Sequence, residues 1–194
     1  MAASEAIATV LPGSSDVELA DRHRYGDEAA FEEVYERFAP MVYGLCLRMS
    51  GDATRAQDLS QDVFLRIFRS LGRFGGRSTL STWIYTVTLN HCRSRLGRRR
   101  LRTESLELET GERAIEDPCR GPEDLTLARD TGKVVGEALL HLPTRFREAV
   151  VLRDIEGLTY AEIASVLSVR VGTVRSRIAR GREQLRVLLE GEAP

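Results

Sequence analysis

The sequence predicts an all-α fold: two helical domains joined by a flexible acidic linker. Apolar residues recur at three- and four-residue steps over most of the 194-residue chain, and no segment holds the two-residue alternation of a strand. The patterned segments are interrupted by residues 101–130, where Gly111, Pro118, Gly121 and Pro122 stand among acids with no sustained apolar stripe. Charge divides at the same places. Residues 1–102 carry a net +3, residues 103–130 a net −6, and residues 131–194 a net +2, so the overall −1 conceals two basic segments around an acidic one. The expected organisation is a flexible N-terminus over 1–16, one helical domain over 17–100, the linker over 101–130 and a second helical domain over 131–194.

The first domain begins its helical patterning near Asp16. Phe31, Val34, Tyr35, Phe38, Val42, Leu45 and Met49 line one face of a long segment, with Pro40 its candidate bend. Ser50-Gly51-Asp52 breaks it, and Asp52 is placed to cap the next helix. There Ala56, Leu59, Val63, Ile67 and Leu71 form the buried stripe, leaving Asp58, Gln61, Asp62 and Leu65 elsewhere on the surface. A loop with adjacent glycines, Arg73 to Ser78, leads to a helix from about Leu80 to Arg98 carrying Trp83, Ile84, Val87 and Leu89. Its arginines, Arg93, Arg95 and Arg98 to Arg100, cluster tightly enough to suit phosphate contacts.

In the second domain, Val134, Val135, Ala138, Leu139 and Leu142 resume the helical period. Pro143 suits a first turn, and Gly157 suits the end of the helix that holds Phe146, Ala149, Val150 and Leu152. Two short patterns joined by a tight break then follow from Leu158 to Leu189, with Thr159 as a cap and Thr173 in the second opening turn. At ~100° per residue, Ile178, Leu185 and Leu188 fall within about 40° of Val174, whereas Arg175, Ser176 and Arg180 fall away from that face. This is the pattern of a helix-turn-helix, whose second helix enters the major groove of DNA. The turn, Ser168 to Val171, lacks the glycine often found there. Arg175, Ser176 and Arg180 are the candidate base and phosphate contacts; Arg177 and Arg182 suit backbone contacts or salt bridges. Read alone, such arginines equally describe a charged, solvated helix face.

Composition narrows the classes further. Hydrophobic residues at 42% and charged residues at 29% fit a water-soluble globular chain. No apolar run approaches the ~18 residues that would span a bilayer, and the N-terminus lacks a signal-peptide pattern. A cytoplasmic protein without direct membrane contact is expected. Cys46, Cys92 and Cys119 are odd in number and widely spaced, so they read as free thiols. His23, His91 and His141 are scattered without metal-ligand spacing, so neither a metal, nor a cofactor, nor a catalytic centre is expected.

The segment DLSQDVFLRIFRSLGRFGGRSTLSTWIYTVTLNHCRSRLGRRR, Asp58 to Arg100, resembles region 2 of sigma factors of the extracytoplasmic-function group. The segment LPTRFREAVVLRDIEGLTYAEIASVLSVRVGTVRSRIARGREQLR resembles their region 4. The resemblance spans about residues 18–100 and 131–189, in the family's order. It implies a promoter-specificity subunit that binds core RNA polymerase through the β′ clamp helices and the β flap. Asp58, Gln61, Asp62 and Leu65 would meet the clamp helices. Ser70, Phe74, Trp83, Val87, Asn90 and Arg93 would serve −10 recognition and melting, with a base flipped into a pocket behind the glycine loop. Arg153, Thr173, Arg175, Ser176, Arg177 and Arg180 would serve the −35 element. By their own chemistry Phe74 and Trp83 suit a hydrophobic core as well as a base, while Asn90 offers paired donor and acceptor groups. The resemblance also implies an anti-sigma factor and a linker threaded through the polymerase channel, where its −6 charge would mimic nucleic acid. A plain solvated tether accounts for the same composition. The competing reading is a stand-alone helix-turn-helix regulator, although the chain shows no clear dimerisation helix.

Overall fold

The computed structural model describes the backbone of residues 14–110 and 127–191, and side chains within 16–97 and 132–190. Among them there are helices and turns and no strands. The N-terminal 13 residues and the centre of the expected linker, including Cys119, lie outside the described residues.

The first domain holds α1 (Ser14–Arg24), α2 (Glu28–Ser50), α3 (Ala53–Leu71) and α4 (Leu80–Thr110). Asp27 starts α2 by accepting from the Ala29 N–H at 3.0 Å. Pro40 is accommodated within α2, which runs on to Gly51. Gly51 ends it at φ +73, where its N–H donates to the Leu47 carbonyl. Asp52 then caps α3 through the Arg55 N–H at 2.6 Å, as expected for that position. The predicted stripe of α3 is buried throughout. In the first turn of α1, the buried Asp16 carboxylate accepts the Leu80 N–H at 2.9 Å and pairs with Arg37 at 3.3 Å. One acid thus fastens both the start of α4 and the side of α2. Cys46 and Cys92 meet where α2 and α4 pack, their sulfurs 3.8 Å apart and both buried.

The expected helix from Leu80 to about Arg98 is longer than its apolar pattern: α4 runs to Thr110, and α5 already begins at Leu127. Helical backbone therefore enters the 101–130 stretch from both sides. Residues such as Arg, Leu and Glu are good helix formers without an apolar face to announce them.

The second domain contains α5 (Leu127–His141), α6 (Thr144–Val150), α7 (Tyr160–Leu167) and α8 (Val171–Gly191). Between α6 and α7 a π-helical turn spans Val151–Ile155. Pro143 precedes the first residue of α6, close to its expected place, and Gly157 takes φ +73 after the π turn. Thr159 and Glu162 form a reciprocal capping box at α7. Ser168 fills the position where the helix-turn-helix lacks a glycine, adopting φ 54 with its N–H turned back to the end of α7. Gly181 lets α8 lie against α6: a Cβ there would meet Val150 Cγ2 at 2.6 Å and the Phe146 carbonyl at 3.3 Å.

Both domains share one apolar core, with α2 packed on α5 and α6, and α4 on α7. At Gly51 a Cβ would come within 2.3 Å of Leu140 Cδ1, so the α2–α3 corner receives α5 closely. Arg147 reaches across and donates to the carbonyls of Met49 (2.9 Å), Leu140 (2.5 Å) and Leu142 (3.2 Å). Its guanidinium thus caps the C-terminal ends of α2 and α5 together. Burial lowers its pKa from the ordinary arginine value, against the opposing pull of Glu148.

Candidate nucleic-acid interface

The helix-turn-helix presents its predicted face. Val174 and Ile178 are buried, and Arg175, Ser176 and Arg180 are exposed on α8. Thr173 and Arg177 are half-buried, and Ser176 Oγ donates to the Thr173 carbonyl at 2.9 Å. Arg182 pairs with Asp154, whose hydrogen bond and charge raise the arginine pKa. That is the salt-bridge role its position suggests. Arg153 lies outside the recognition helix. It donates to the Leu158 carbonyl at 2.8 Å and sits 5.0 Å from the Tyr160 ring, with Arg175 at 5.8 Å from the same ring. Tyr160 therefore couples the two arginines to the start of α7 by cation–π contact.

On α3, Asp58, Gln61 and Leu65 are exposed. Asp62 is half-buried beneath them, hydrogen-bonded to Arg95 and 3.3 Å from His91 Nε2. Burial works against its ionisation, but the contacts from Arg95 and His91 outweigh it and hold its pKa below the usual carboxylate value. The exposed Phe68 extends this surface toward α2, where Phe31 meets it edge-on at 5.0 Å, while Tyr35 lies tilted against the buried Phe64 with centroids 4.6 Å apart.

Around the glycine loop the residues take different places. Phe74 is 4% exposed and packs on Trp83, with centroids 5.7 Å apart, so its ring faces the core. A base could stack on it only after the loop shifts. Ser70 closes α3, its hydroxyl donating to the Arg66 carbonyl at 2.6 Å. Val87 is half-buried, and Asn90 is exposed one turn further along α4. Arg93 links Asn90 to the other domain, donating to Asn90 Oδ1 at 3.2 Å and to both Glu148 oxygens at 2.6 and 2.8 Å.

That last pairing belongs to a cluster the sequence did not disclose. Glu148 is 2% exposed and Glu156 is 8% exposed, both in the second domain. Glu156 accepts from the Tyr85 hydroxyl at 2.8 Å and from Arg48 at 2.9 Å. Burial, reinforced by Glu156, pushes the Tyr85 phenol above its ordinary pKa; the hydrogen bond Arg93 donates to Glu148 raises the arginine's pKa against the effect of burial. The partners lie 55 residues apart for Arg93 and Glu148 and 71 apart for Tyr85 and Glu156, beyond any local pattern. Among the described residues no group of three or more His, Cys, Asp or Glu side chains is placed to hold a metal ion.

Residues 34–102 match the family described as Sigma-70 region 2, and residues 133–185 match Sigma-70, region 4. The chain is 36% identical over 183 residues to the RNA polymerase sigma-H factor of Pseudomonas aeruginosa, covering 91% of this chain and 94% of that one. It is 34% identical over 180 residues to the ECF RNA polymerase sigma-E factor of Escherichia coli K12, covering 88% and 92%. Among solved structures, CnrH in complex with the cytosolic domain of CnrY superposes with a TM-score of 0.68 at 26% identity, covering 93% of this chain and all of that one. Two sigma regions in sequence order, on a helical scaffold whose second half is a helix-turn-helix, define a transcription initiation factor. The chain belongs to the extracytoplasmic-function group of the sigma-70 family. As such it directs promoter-specific transcription, with core RNA polymerase and promoter DNA as partners. The stand-alone regulator is not favoured.

Proposed function

We propose that this sigma factor divides promoter recognition between its domains. α8 reads the −35 element through Arg175, Ser176 and Arg180, supported by Thr173, Arg177 and Arg153. α4 and the glycine loop serve the −10 element through Ser70, Phe74, Trp83, Val87, Asn90 and Arg93. The α3 surface of Asp58, Gln61, Asp62 and Leu65 docks on the β′ clamp helices, and the second domain docks on the β flap. The chain performs no chemistry itself: polymerase transfers the nucleotides, and the chain works beside it in the cytoplasm. The observation that carries this reading is the solvent-facing Arg175–Ser176–Arg180 surface of α8, set on a capped helix-turn-helix in the same chain as the acidic α3 face. Arginine forks suit guanine edges and phosphates on the first surface, and carboxylates suit a basic partner on the second.

The test is in-vitro transcription with purified core polymerase, using promoters taken from start sites mapped after overexpression. A transcript dependent on this protein and on both promoter elements is expected. Absence of promoter-dependent product from every mapped site would sink the reading. No helix of the described residues is long and apolar enough to cross a membrane.

A further inference from the structure

α1 lies outside residues 34–102, which match the region 2 family, yet it touches both ends of the glycine loop. At the loop's start, Arg24 donates through Nε to the Gly72 carbonyl, and His23 Nε2 donates to the Phe68 carbonyl at 2.8 Å. Gly72 is packed so closely that a Cβ there would meet Arg24 Cβ at 3.3 Å and its Cα at 3.4 Å. At the loop's end, a Cβ on Gly76 would meet Val17 Cγ2 at 2.7 Å, and Asp16 accepts the Leu80 N–H at 2.9 Å. Asp16 is 1% exposed. An acid so deeply buried is costly unless its oxygens are met. Here one takes the opening N–H of α4 and the other takes Arg37. Thr79 already caps α4 through the Thr82 N–H at 3.2 Å, so Asp16 is a second acceptor at the positive end of that helix.

We propose that α1 positions the −10 loop, with Asp16 as the positioning residue: by fixing where α4 starts, it sets how the loop arches between Gly72 and Leu80. This rests on the reading of the glycine loop as a −10 reader. Asp16 and Arg24 are separated by ~12 Å along α1. The chain from Gly72 to Leu80 could reach about 27 Å if extended. Held at both ends, it has to arch. The arch carries Gly75, around which a Cβ would meet nothing within 4 Å, while Phe74 beside it is seated on Trp83. The shift that frees the Phe74 face for a base is then confined to the arch, and Ser70 and Val87 keep their spacing across it because α3 and α4 stay fixed. Without the Asp16 anchor the loop samples more arrangements, and affinity for the −10 strand falls with the fraction of them that fit.

Trp83 is the chain's one tryptophan and packs on Phe74, so acrylamide quenching of its fluorescence reads the loop in the full chain with no DNA present. Holoenzyme assembled with core polymerase is then titrated by anisotropy with the single −10 strand and with the −35 duplex of a mapped promoter. Asp16→Ala is expected to quench about twofold more readily and to bind the −10 strand about tenfold more weakly, with −35 binding unchanged. Asp16→Asn keeps an acceptor for the Leu80 N–H and is expected to stay within about twofold of the native protein on every readout. An Asn variant as defective as the Ala one overturns the role of Asp16 as acceptor. Arg24→Ala trims an exposed side chain and leaves the core intact, so it tests the same loop even where Asp16→Ala does not fold. It is expected to raise quenching and to lower −10 binding about threefold, again with −35 binding unchanged. Equal losses on both DNAs mark general destabilisation and overturn the proposal. Unchanged quenching in Asp16→Ala and Arg24→Ala overturns the bracing itself, whereas raised quenching with −10 binding intact overturns the −10 reading on which the proposal rests.

Discussion

Asp62 is shared between two roles: it belongs to the candidate polymerase face and also neutralises Arg95 beside the buried His91 ring. Burial and the charges of Arg66 and Arg95 depress the His91 pKa below its ordinary value, and Asp62 only partly opposes them. The folded protein therefore keeps His91 neutral while the unfolded chain protonates as pH falls through ~6.5. The unfolded state then binds more protons, and stability falls with pH. Asp62, with its lowered pKa, adds a separate loss below the ordinary carboxylate range. Urea midpoints at about pH 7.5 and 5.5 are expected to differ less for His91→Gln than for the native protein; an equal difference would exonerate this ring. On the proposed DNA face, Arg175→Ala and Arg180→Ala are each expected to weaken −35 duplex binding by about 1–3 kcal/mol at constant salt. Anisotropy titrations against a matched and a scrambled duplex check it: loss confined to the matched one marks base reading, and equal loss on both marks phosphate contact.

Elements were legible where their signals are local. Asp52 and Thr159 announced helix starts because a cap is made within three residues, and the α3 stripe announced its buried face through spacing alone. Three features escaped for physical reasons. α4 outruns its apolar pattern on propensity alone, and the π turn leaves no mark in residue type. Glu148 and Glu156 look like ordinary surface acids until partners from the other domain bury them. Of the candidate site, the α8 and α3 faces could be read from periodicity, but the inward turn of Phe74 could not, since an aromatic residue suits core and base equally. Thr159→Ala should cost about 1 kcal/mol in thermal or urea unfolding, because it removes the cap on which the helix-turn-helix is mounted. Gly181→Ala should cost about 1–3 kcal/mol, despite alanine's better helix propensity, because the methyl group meets Val150 and the Phe146 carbonyl. A neutral or stabilising Gly181→Ala would show that α6 and α8 can part without penalty.

At the level of the molecule, one core runs through both domains and Arg147 fastens the two helix ends where they meet. A single cooperative melt is expected for the native chain, and Arg147→Ala should separate it into two calorimetric transitions. A variant that still melts in one step would assign the coupling to apolar packing instead. The buried thiols supply a different kind of reporter. Cys46 and Cys92 face each other across α2 and α4, and the Cys46 pKa is pushed up by its contact with Cys92 and by burial, which suppresses the reactive thiolate. Each time those two helices separate, both sulfurs become open to alkylation. The first domain thus carries its own clock: the rate of alkylation at these two native positions, read by mass spectrometry under native conditions, counts openings of its core with no residue introduced.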